Sequence, residues 1–200
     1  EYYFEPSGSL TFGWFHKTIR DYIVSGREVG TIGTGPDNGY NGEYHGFTEL
    51  TNLNAGTAIA QGWEFAYVQQ FRFLPGMLKG LSLNTNLTMI NTHGNFGGNT
   101  YRGNGQVQGF IPLTYNVSLS WNHRKFGTRI LYNFTDEHIR TYNQTQSSRN
   151  VYMMKRELVN LGLTYQVRPN LKLQLDIANL FNEPQKYYRS IPDQLERFLM

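Results

Sequence analysis

Residues 113–122 read Leu-Thr-Tyr-Asn-Val-Ser-Leu-Ser-Trp-Asn, an unbroken alternation of apolar and polar side chains. Successive side chains of a β-strand point to opposite faces, so this segment has one apolar face and one polar face. A soluble sheet hides such an apolar face in a core, whereas a transmembrane barrel turns it toward lipid and keeps a polar lumen. The segment therefore predicts a β-strand, but its alternation alone does not distinguish a soluble sheet from a transmembrane barrel.

The same alternation recurs in six further segments. We predict seven strands, at residues 9–23, 60–73, 80–92, 111–122, 126–135, 158–167 and 171–180. The apolar faces of these strands contain no Asp, Glu, Lys or Arg, and the charged residues fall on the opposite faces: Glu64, Arg72, Arg129, Lys172 and Asp176. A cation on a lipid face near the midplane costs about 2–4 kcal/mol, but a soluble core excludes charge as well.

The connections between the predicted strands alternate between long and short. Residues 24–59, 93–110 and 136–157 are long, while residues 74–79, 123–125 and 168–170 are short. Outer-membrane barrels show this parity, with short periplasmic turns and long outer loops. An open sheet in lipid would leave unpaired backbone groups at its edges, so we expect the seven strands to belong to a larger barrel.

Composition narrows the class of protein further. Aromatic residues make up 15% of the 200 residues and charged residues only 16%, which favours β-structure over disorder. The net charge of +3 is scattered with no basic run, so we predict no nucleic-acid partner. Cysteine is absent, which excludes disulfides and thiolate metal sites, and no apolar run approaches the roughly 18 residues of a membrane helix.

Four local motifs resemble those of TonB-dependent outer-membrane receptors. Residues 15–23 resemble the family's F-y-k-x-I-x-D-x-I strand end, and residues 62–65 are similar to its G-x-E strand opening. Ile111-Pro112 followed by Tyr115-Asn116 resembles a vP…yN strand start, and residues 179–184 resemble the N-L-F-n signature near the end of the barrel. The order and spacing of these motifs cover most of the chain.

The resemblance implies an all-β, antiparallel transmembrane β-barrel of about 22 strands around an amino-terminal plug. The seven predicted strands would be the fifteenth to the twenty-first, and residues 1–200 would form the carboxyl-terminal part of the barrel domain. The plug, the TonB box, the earlier strands and the closing strand are expected outside these residues. The implied location is the outer membrane, and the implied partners are its lipid, TonB and the inner-membrane energy-coupling complex.

The implied function is energised uptake of a scarce, bulky solute such as a siderophore or a carbohydrate, without a cofactor or enzymatic activity. Aromatic rings with amides would suit a sugar, and convergent Arg residues would suit an anionic ferric siderophore. Ligand contacts in such receptors come from the outer loops, the upper lumen wall and the plug. The loop candidates in this chain are Tyr40, Asn41, Tyr44 and His45 in the first long connection, Asn99, Tyr101 and Arg102 in the second, and Tyr142, Asn143 and Gln144 in the third.

Other kinds of site find little support in the sequence. The five His residues lack metal-ligand spacing, so no metal site is predicted. Asp37-Asn38-Gly39 lies near Asn41 and Glu43 without the fixed spacing of a calcium loop, and we interpret it as turn chemistry. No nucleophile is paired with a base. We expect the charged residues of the polar faces to be hydrated or ion-paired along the lumen or the plug.

Three alternatives remain open at this point. A passive porin-like barrel would share the wall but lack the plug. A soluble carbohydrate-binding β-sandwich would share the alternation but cover the apolar face. A barrel enzyme would need a nucleophile and base that the sequence does not supply.

Two neighbouring substitutions test the assignment of faces. Leu119→Arg should block assembly in the outer membrane, because it places a cation on the lipid face at about 2–4 kcal/mol. Ser118→Arg should assemble normally, because that residue faces the lumen. Quantifying heat-modifiable, folded barrel in outer-membrane fractions measures both variants, and equal assembly of the two would contradict the assignment.

Overall fold

The computed structural model describes residues 1–95, 106–142, 147–189 and 195–198. No helix in this part of the chain is long and apolar enough to cross a membrane. Two short 3-10 turns occupy Gly76–Gly80 and Ser147–Arg149. Within these ranges the strands are β1 Tyr2–Phe4, β2 Gly8–Thr31, β3 Thr48–Gln70, β4 Leu81–Asn95, β5 Leu113–His123, β6 Phe126–Thr135, β7 His138–Thr141, β8 Val151–Met153, β9 Arg156–Arg168, β10 Leu171–Ile177, β11 Gln185–Arg189 and β12 Leu195–Phe198.

Eight strands form one antiparallel sheet, in the order β1-β2-β3-β4-β5-β6-β9-β10. Sheet neighbours are also chain neighbours, except that β7 and β8 intervene between β6 and β9. The seven predicted strands are confirmed as β2, β3, β4, β5, β6, β9 and β10. This up-and-down order is that of a barrel wall, and within the described residues the wall is not closed. Its outer end carries the long connections, and its inner end carries the short turns.

The apolar side chains of neighbouring strands share one face of this wall. The β5–β6 register sets Leu119 beside Ile130 and Trp121 beside Thr128. This apolar face is uncovered, since Phe12 is 63% exposed and Leu119 39% exposed. The opposite side is the lumen face, which carries the polar side chains.

Buried apolar side chains are found elsewhere in the described part of the chain. They cluster toward the outer end, and they are Ala58, Ala60, Val107, Ile139, Tyr187 and Tyr188. None of them lies under the apolar face of the wall. A β-sandwich would cover that face with a second sheet, so the soluble-sandwich alternative is wrong. The fold is part of an antiparallel transmembrane β-barrel.

The hairpin of β2 and β3 is longer than predicted. Residues 24–59 were expected to be a loop, but only residues 32–47 connect the two strands. In the part of the chain that the structure describes, the pairing of β3 with β4 extends outward to Thr57 and Asn95, and residues 48–56 pair with β2 alone and project beyond the wall. Beyond the membrane neither face of a strand meets lipid. The alternation therefore fades while the backbone pairing continues.

Strand ends and one charge also differ from the sequence-based expectation. β3 ends at Gln70 rather than residue 73, and β10 ends at Ile177 rather than residue 180. The positive φ of Asn179, 49°, turns the chain away from β10. β9 begins at Arg156, which sets Glu157 opposite Phe134 on the apolar face at its outer end. The expectation that this face carries no charge is therefore wrong at that position.

The resembling motif at residues 15–23 contains a β-bulge. Ile19 pairs with Ala58 and Tyr22 with Gly56, so two residues of β2 oppose one of β3. One of these two residues of β2 is Asp21, whose φ is 55°. Bulges sharpen the local twist and are frequent at barrel rims. This bulge marks the level at which the hairpin leaves the wall.

Gly62, the first residue of the G-x-E motif, lies where β3 and β4 approach each other closely. A Cβ atom at Gly62 would lie 2.0 Å from the carbonyl oxygen of Met89. That oxygen belongs to the backbone of the paired strand β4, so displacing it would disturb the pairing of β3 with β4. Glycine is therefore required at this position for steric reasons.

Gly62→Ala should destabilise the barrel by about 1–3 kcal/mol, the usual cost of overpacking. Gly13→Ala is the matched control, because a Cβ at Gly13 would lie 4.0 Å from its nearest neighbour, Glu64 Cβ. Samples of each full-length variant are heated to a series of temperatures and then run on cold gels. The temperature at which the folded band disappears measures the stability of the barrel. A loss of stability that is as large for Gly13→Ala as for Gly62→Ala would show that the close approach is not the cause.

Candidate functional site

Asn38 organises the tip loop, residues 32–47, at the end of the projecting hairpin. Its side-chain amide donates to the carbonyl oxygens of Gly33 at 3.1 Å and Glu43 at 2.8 Å. Its side-chain oxygen accepts from the backbone N–H groups of Tyr40 and Gly42, both at 2.9 Å. One side chain thus joins both halves of the loop, and the interpretation of this segment as turn chemistry is confirmed.

Three aromatic rings cluster on the tip loop. Tyr40 and Tyr44 meet edge to face at 5.8 Å between ring centroids, and Tyr44 and Phe47 do so at 6.1 Å. All three are exposed, Phe47 by 65%. The Tyr40 hydroxyl donates to Glu49 at 3.2 Å, and this hydrogen bond raises the pKa of Tyr40. At neutral pH the tip therefore presents neutral phenol rings with exposed faces.

The predicted candidates of the first long connection all lie on this tip loop. Asn41 and Tyr44 adopt positive φ values of 55° and 58°, and His45 is exposed. Tyr142 lies elsewhere, at the rim of the wall. The projecting part of the hairpin corresponds to roughly 30 Å of strand at about 3.3 Å per residue. The remaining candidates, Asn99, Tyr101, Arg102, Asn143 and Gln144, lie outside the described residues.

At the rim, the second and third long connections are joined. The Tyr142 hydroxyl donates to the carbonyl oxygen of Gln106 at 2.5 Å, and the Gly109 N–H donates to that of Ile139 at 3.0 Å. Ile139 and Val107 are each only 1% exposed. Tyr142 therefore links the third long connection to the second, a structural role that the sequence alone did not reveal.

A second sheet stands at the outer end, in the order β12-β11-β8-β7. It combines the third long connection with the segment that follows β10. Tyr188 stacks on Tyr152 at 5.1 Å between centroids, and its hydroxyl donates to Glu137 at 2.6 Å. The pKa of Tyr188 is raised, mainly because the phenol is buried and also because of this hydrogen bond to Glu137. The guanidinium of Arg140 lies 4.9 Å from the centroid of the Tyr187 ring. Sequence reasoning missed this sheet because its strands are only three to five residues long.

The N-L-F-n signature forms the turn that leads from the wall into this outer sheet. The Asn179 N–H donates to the side chain of Asn160 at 2.8 Å. The Asn179 side chain accepts from the Glu183 N–H at 2.8 Å and donates to the Glu183 carbonyl at 3.1 Å. The motif is thus explained as a hydrogen-bonded turn that fixes where the outer segment starts.

An amide ladder crosses the lumen face. The Asn133 side chain donates to that of Asn116, which in turn donates to Asn86 at 2.8 Å. These residues lie opposite one another on β6, β5 and β4. The recurring Asn-x-Ser/Thr triplets of these strands were the available sequence signal. The ladder explains the Asn of the vP…yN motif and gives the lumen a hydrogen-bonding surface.

Closer to the inner end, the lumen face holds a polar concavity of 340 Å³. Gly127 and Gly162 lie on neighbouring strands and leave space there, while Arg129, Lys172 and Asp176 border it. Asp176 accepts from Gln174 at 2.6 Å. The expectation that these charges face the lumen is met by the register. Among the described residues no group of three or more His, Asp or Glu could hold a metal ion.

These features define a class of protein: an outer-membrane β-barrel with an apolar lipid face, a polar lumen and built-up outer connections. A sequence model of one family, described as TonB dependent receptor-like, beta-barrel, matches residues 1–180. The chain therefore belongs to the TonB-dependent receptor family, whose members are β-barrels of the outer membrane. No curated protein sequence matches the chain.

Solved structures show the same fold. The chain is similar to the ferric enterobactin receptor PfeA of Pseudomonas aeruginosa, with 18% identity and a TM-score of 0.59 over 88% of this chain and 24% of that one. It is similar to the ferric citrate transporter FecA, at 12% identity and a TM-score of 0.62 over 98% and 28% of the two chains. It is also similar to the iron transporter FrpB of Neisseria meningitidis, with 13% identity and a TM-score of 0.60 over 99% of this chain and 27% of that one. The chain thus spans about a quarter of the length of these structures.

Asn38→Ala should loosen the tip loop without affecting the wall, because it removes the four hydrogen bonds of one side chain. We expect amide exchange in residues 33–47 to accelerate by about tenfold or more, since each hydrogen bond contributes about 0.5–1.5 kcal/mol. Hydrogen–deuterium exchange of the full-length receptor measures this. Asp37→Ala, an exposed neighbour, is the matched control, and equal acceleration by both variants would contradict the role of Asn38.

Proposed function

We propose that the chain is the carboxyl-terminal part of the barrel of an outer-membrane receptor that takes up a bulky, scarce solute with TonB-coupled energy. The observation that carries this proposal is the family match over residues 1–180 of a wall with an apolar lipid face and a polar lumen. An amino-terminal plug and its contact with TonB belong to the same proposal. The protein acts as a receptor and transporter rather than as an enzyme.

We propose a ferric siderophore as the solute, because the similar structures are a ferric enterobactin receptor, a ferric citrate transporter and an iron transporter. Arg129 and Lys172 at the lumen concavity would favour an anionic complex as it passes through the barrel. A carbohydrate is the second candidate. It is supported by the exposed rings of Tyr40 and Tyr44 beside polar loop residues, since flat aromatic faces pack well on sugar rings.

Tyr40 and Tyr44 are proposed as first-contact residues for the solute. They lie on the loop at the end of the projecting hairpin of β2 and β3, and the hydrogen bonds of Asn38 hold this loop in place before any ligand arrives. A preordered aromatic surface binds at a lower entropic cost than a mobile one. Asn41 and His45 share the loop and complete the proposed contact surface.

The test is uptake by the full-length receptor in a host that lacks its own iron receptors, with the TonB gene intact or deleted. Ferric enterobactin, ferric citrate and radiolabelled maltodextrins serve as probes. We expect at least one ferric probe to accumulate in the intact strain and none above background in the deletion strain. Accumulation that is equal in both strains would identify a passive porin-like barrel instead.

Two variants complete this experiment. Leu119→Arg, which should not assemble, sets the background. The double variant Tyr40→Ser/Tyr44→Ser should weaken binding of the transported probe to whole cells by about tenfold, the loss typical of aromatic hot spots. Asp37→Ala on the same loop should bind normally. Unchanged binding by the double variant would remove the tip from the proposed ligand surface while leaving the transport proposal intact.

A further inference from the structure

We propose that an apolar groove at the inner end of the wall is a specific site for an anionic glycerophospholipid of the periplasmic leaflet. The groove has a volume of 580 Å³ and lies across β5, β6, β9 and β10. Among the residues that line it are Trp121, Phe126, Thr128, Leu163, Tyr165 and Leu173. The inference concerns the outside of the barrel and is independent of the transported solute and of TonB.

The groove exists because one small residue interrupts a bulky surface. Thr128 lies between Trp121 on β5 and Leu163 on β9 in the same cross-strand row. Along β6 it is flanked by Phe126 and Ile130, which are 59% and 45% exposed on the same face. A threonine surrounded by four larger side chains leaves a depression with apolar walls. A lipid acyl chain has the shape and the chemistry to fill it.

The walls of the groove are held in place by the protein. The indole N–H of Trp121 donates to the carbonyl oxygen of Met77 at 2.9 Å, which ties the ring to the neighbouring inner turn. On the other side, the rings of Phe126 and Tyr165 lie 4.7 Å apart between centroids. Because these side chains are already ordered, a chain that enters the groove need not immobilise them.

Cationic residues occupy the two inner turns next to the strands that form the groove. Arg124 and Lys125 form the turn between β5 and β6, and Arg168 ends β9 at the next turn. The Lys125 amine donates to the carbonyl oxygen of Val167 at 3.5 Å, so the two turns are joined. Arg124 and Arg168 are exposed, and neither turn contains Asp or Glu. Guanidinium groups bind phosphate oxygens strongly, and surface cations attract anionic lipid.

Position and charge together identify the occupant. The groove is continuous with the lipid-facing surface of the wall, so a lipid reaches it without leaving the bilayer. It opens toward the inner end, where the short turns of such barrels face the periplasm. There a lipid can place its acyl chain against Thr128 and its phosphate against Arg124 and Arg168. A net anionic headgroup gains from both cations, whereas a zwitterionic headgroup brings its own positive charge.

Native mass spectrometry of the detergent-purified, full-length receptor tests the site. The probes are palmitoyl-oleoyl phosphatidylglycerol and the matching phosphatidylcholine. We expect a tight adduct with the anionic probe, and we expect Arg124→Gln/Arg168→Gln to weaken it by about tenfold, since each cation contributes a several-fold attraction. Arg72→Gln/Lys79→Gln removes two cations from another inner turn and should leave the adduct unchanged.

A second pair of variants tests the groove itself. Thr128→Phe should prevent the adduct by filling the depression. Thr85→Phe adds the same ring on the same face, between Tyr67 and Val117, and should not affect the adduct. Equal binding of the two lipids, equal losses in both charge-removal variants, retention of the adduct by Thr128→Phe, or a dimer in place of the adduct would overturn the proposal. If Thr128→Phe does not yield a heat-modifiable barrel, the charge variants decide alone.

Discussion

The structure depends on one constraint: backbone N–H and C=O groups that lie in hydrocarbon must be paired within the protein, because no water is present to receive them. An antiparallel sheet in which sheet neighbours are also chain neighbours meets this constraint with short connections at one end. Once such a sheet stands in lipid, each strand must keep apolar side chains on one face. The alternation of residues 113–122 and the exposure of the apolar face are therefore two consequences of one requirement.

The same constraint explains where the sequence was a reliable guide. In β4, β5 and β6 one face meets lipid and the other meets water, so the predicted strands nearly match the observed ones. The apolar–polar alternation that predicts a strand is lost where both faces of the strand meet water. The outer halves of β2 and β3 and the short strands β7, β8, β11 and β12 carry no alternation, and their pairing is decided by contacts between distant segments. Glu157 lies one residue before the predicted start of β9 at residue 158, so the sequence did not indicate a charge on the apolar face there.

The candidate site could be predicted only in part, for a related reason. Residue type and position in a long connection identified exposed tyrosines such as Tyr40 and Tyr44, but they could not show that Asn38 holds the loop together beneath them. They named Tyr142 as a possible ligand contact but did not show that its hydroxyl donates to the Gln106 carbonyl at the rim. The family motifs proved to be mainly architectural: a close approach at Gly62, a bulge at Asp21 and a hydrogen-bonded turn at Asn179. They identify how the wall is built, and they say little about what passes through it.

The projecting hairpin has a consequence for how such a protein changes over evolutionary time. Outward of Thr57, β2 and β3 pair only with each other among the residues that the structure describes, so the described register of the wall does not depend on the residues farther out. Insertions, deletions or wholesale replacement of the tip would leave every pairing inside the bilayer untouched. The chain thus separates a part whose sequence is constrained by the membrane from a part that can vary in length and sequence without disturbing the wall.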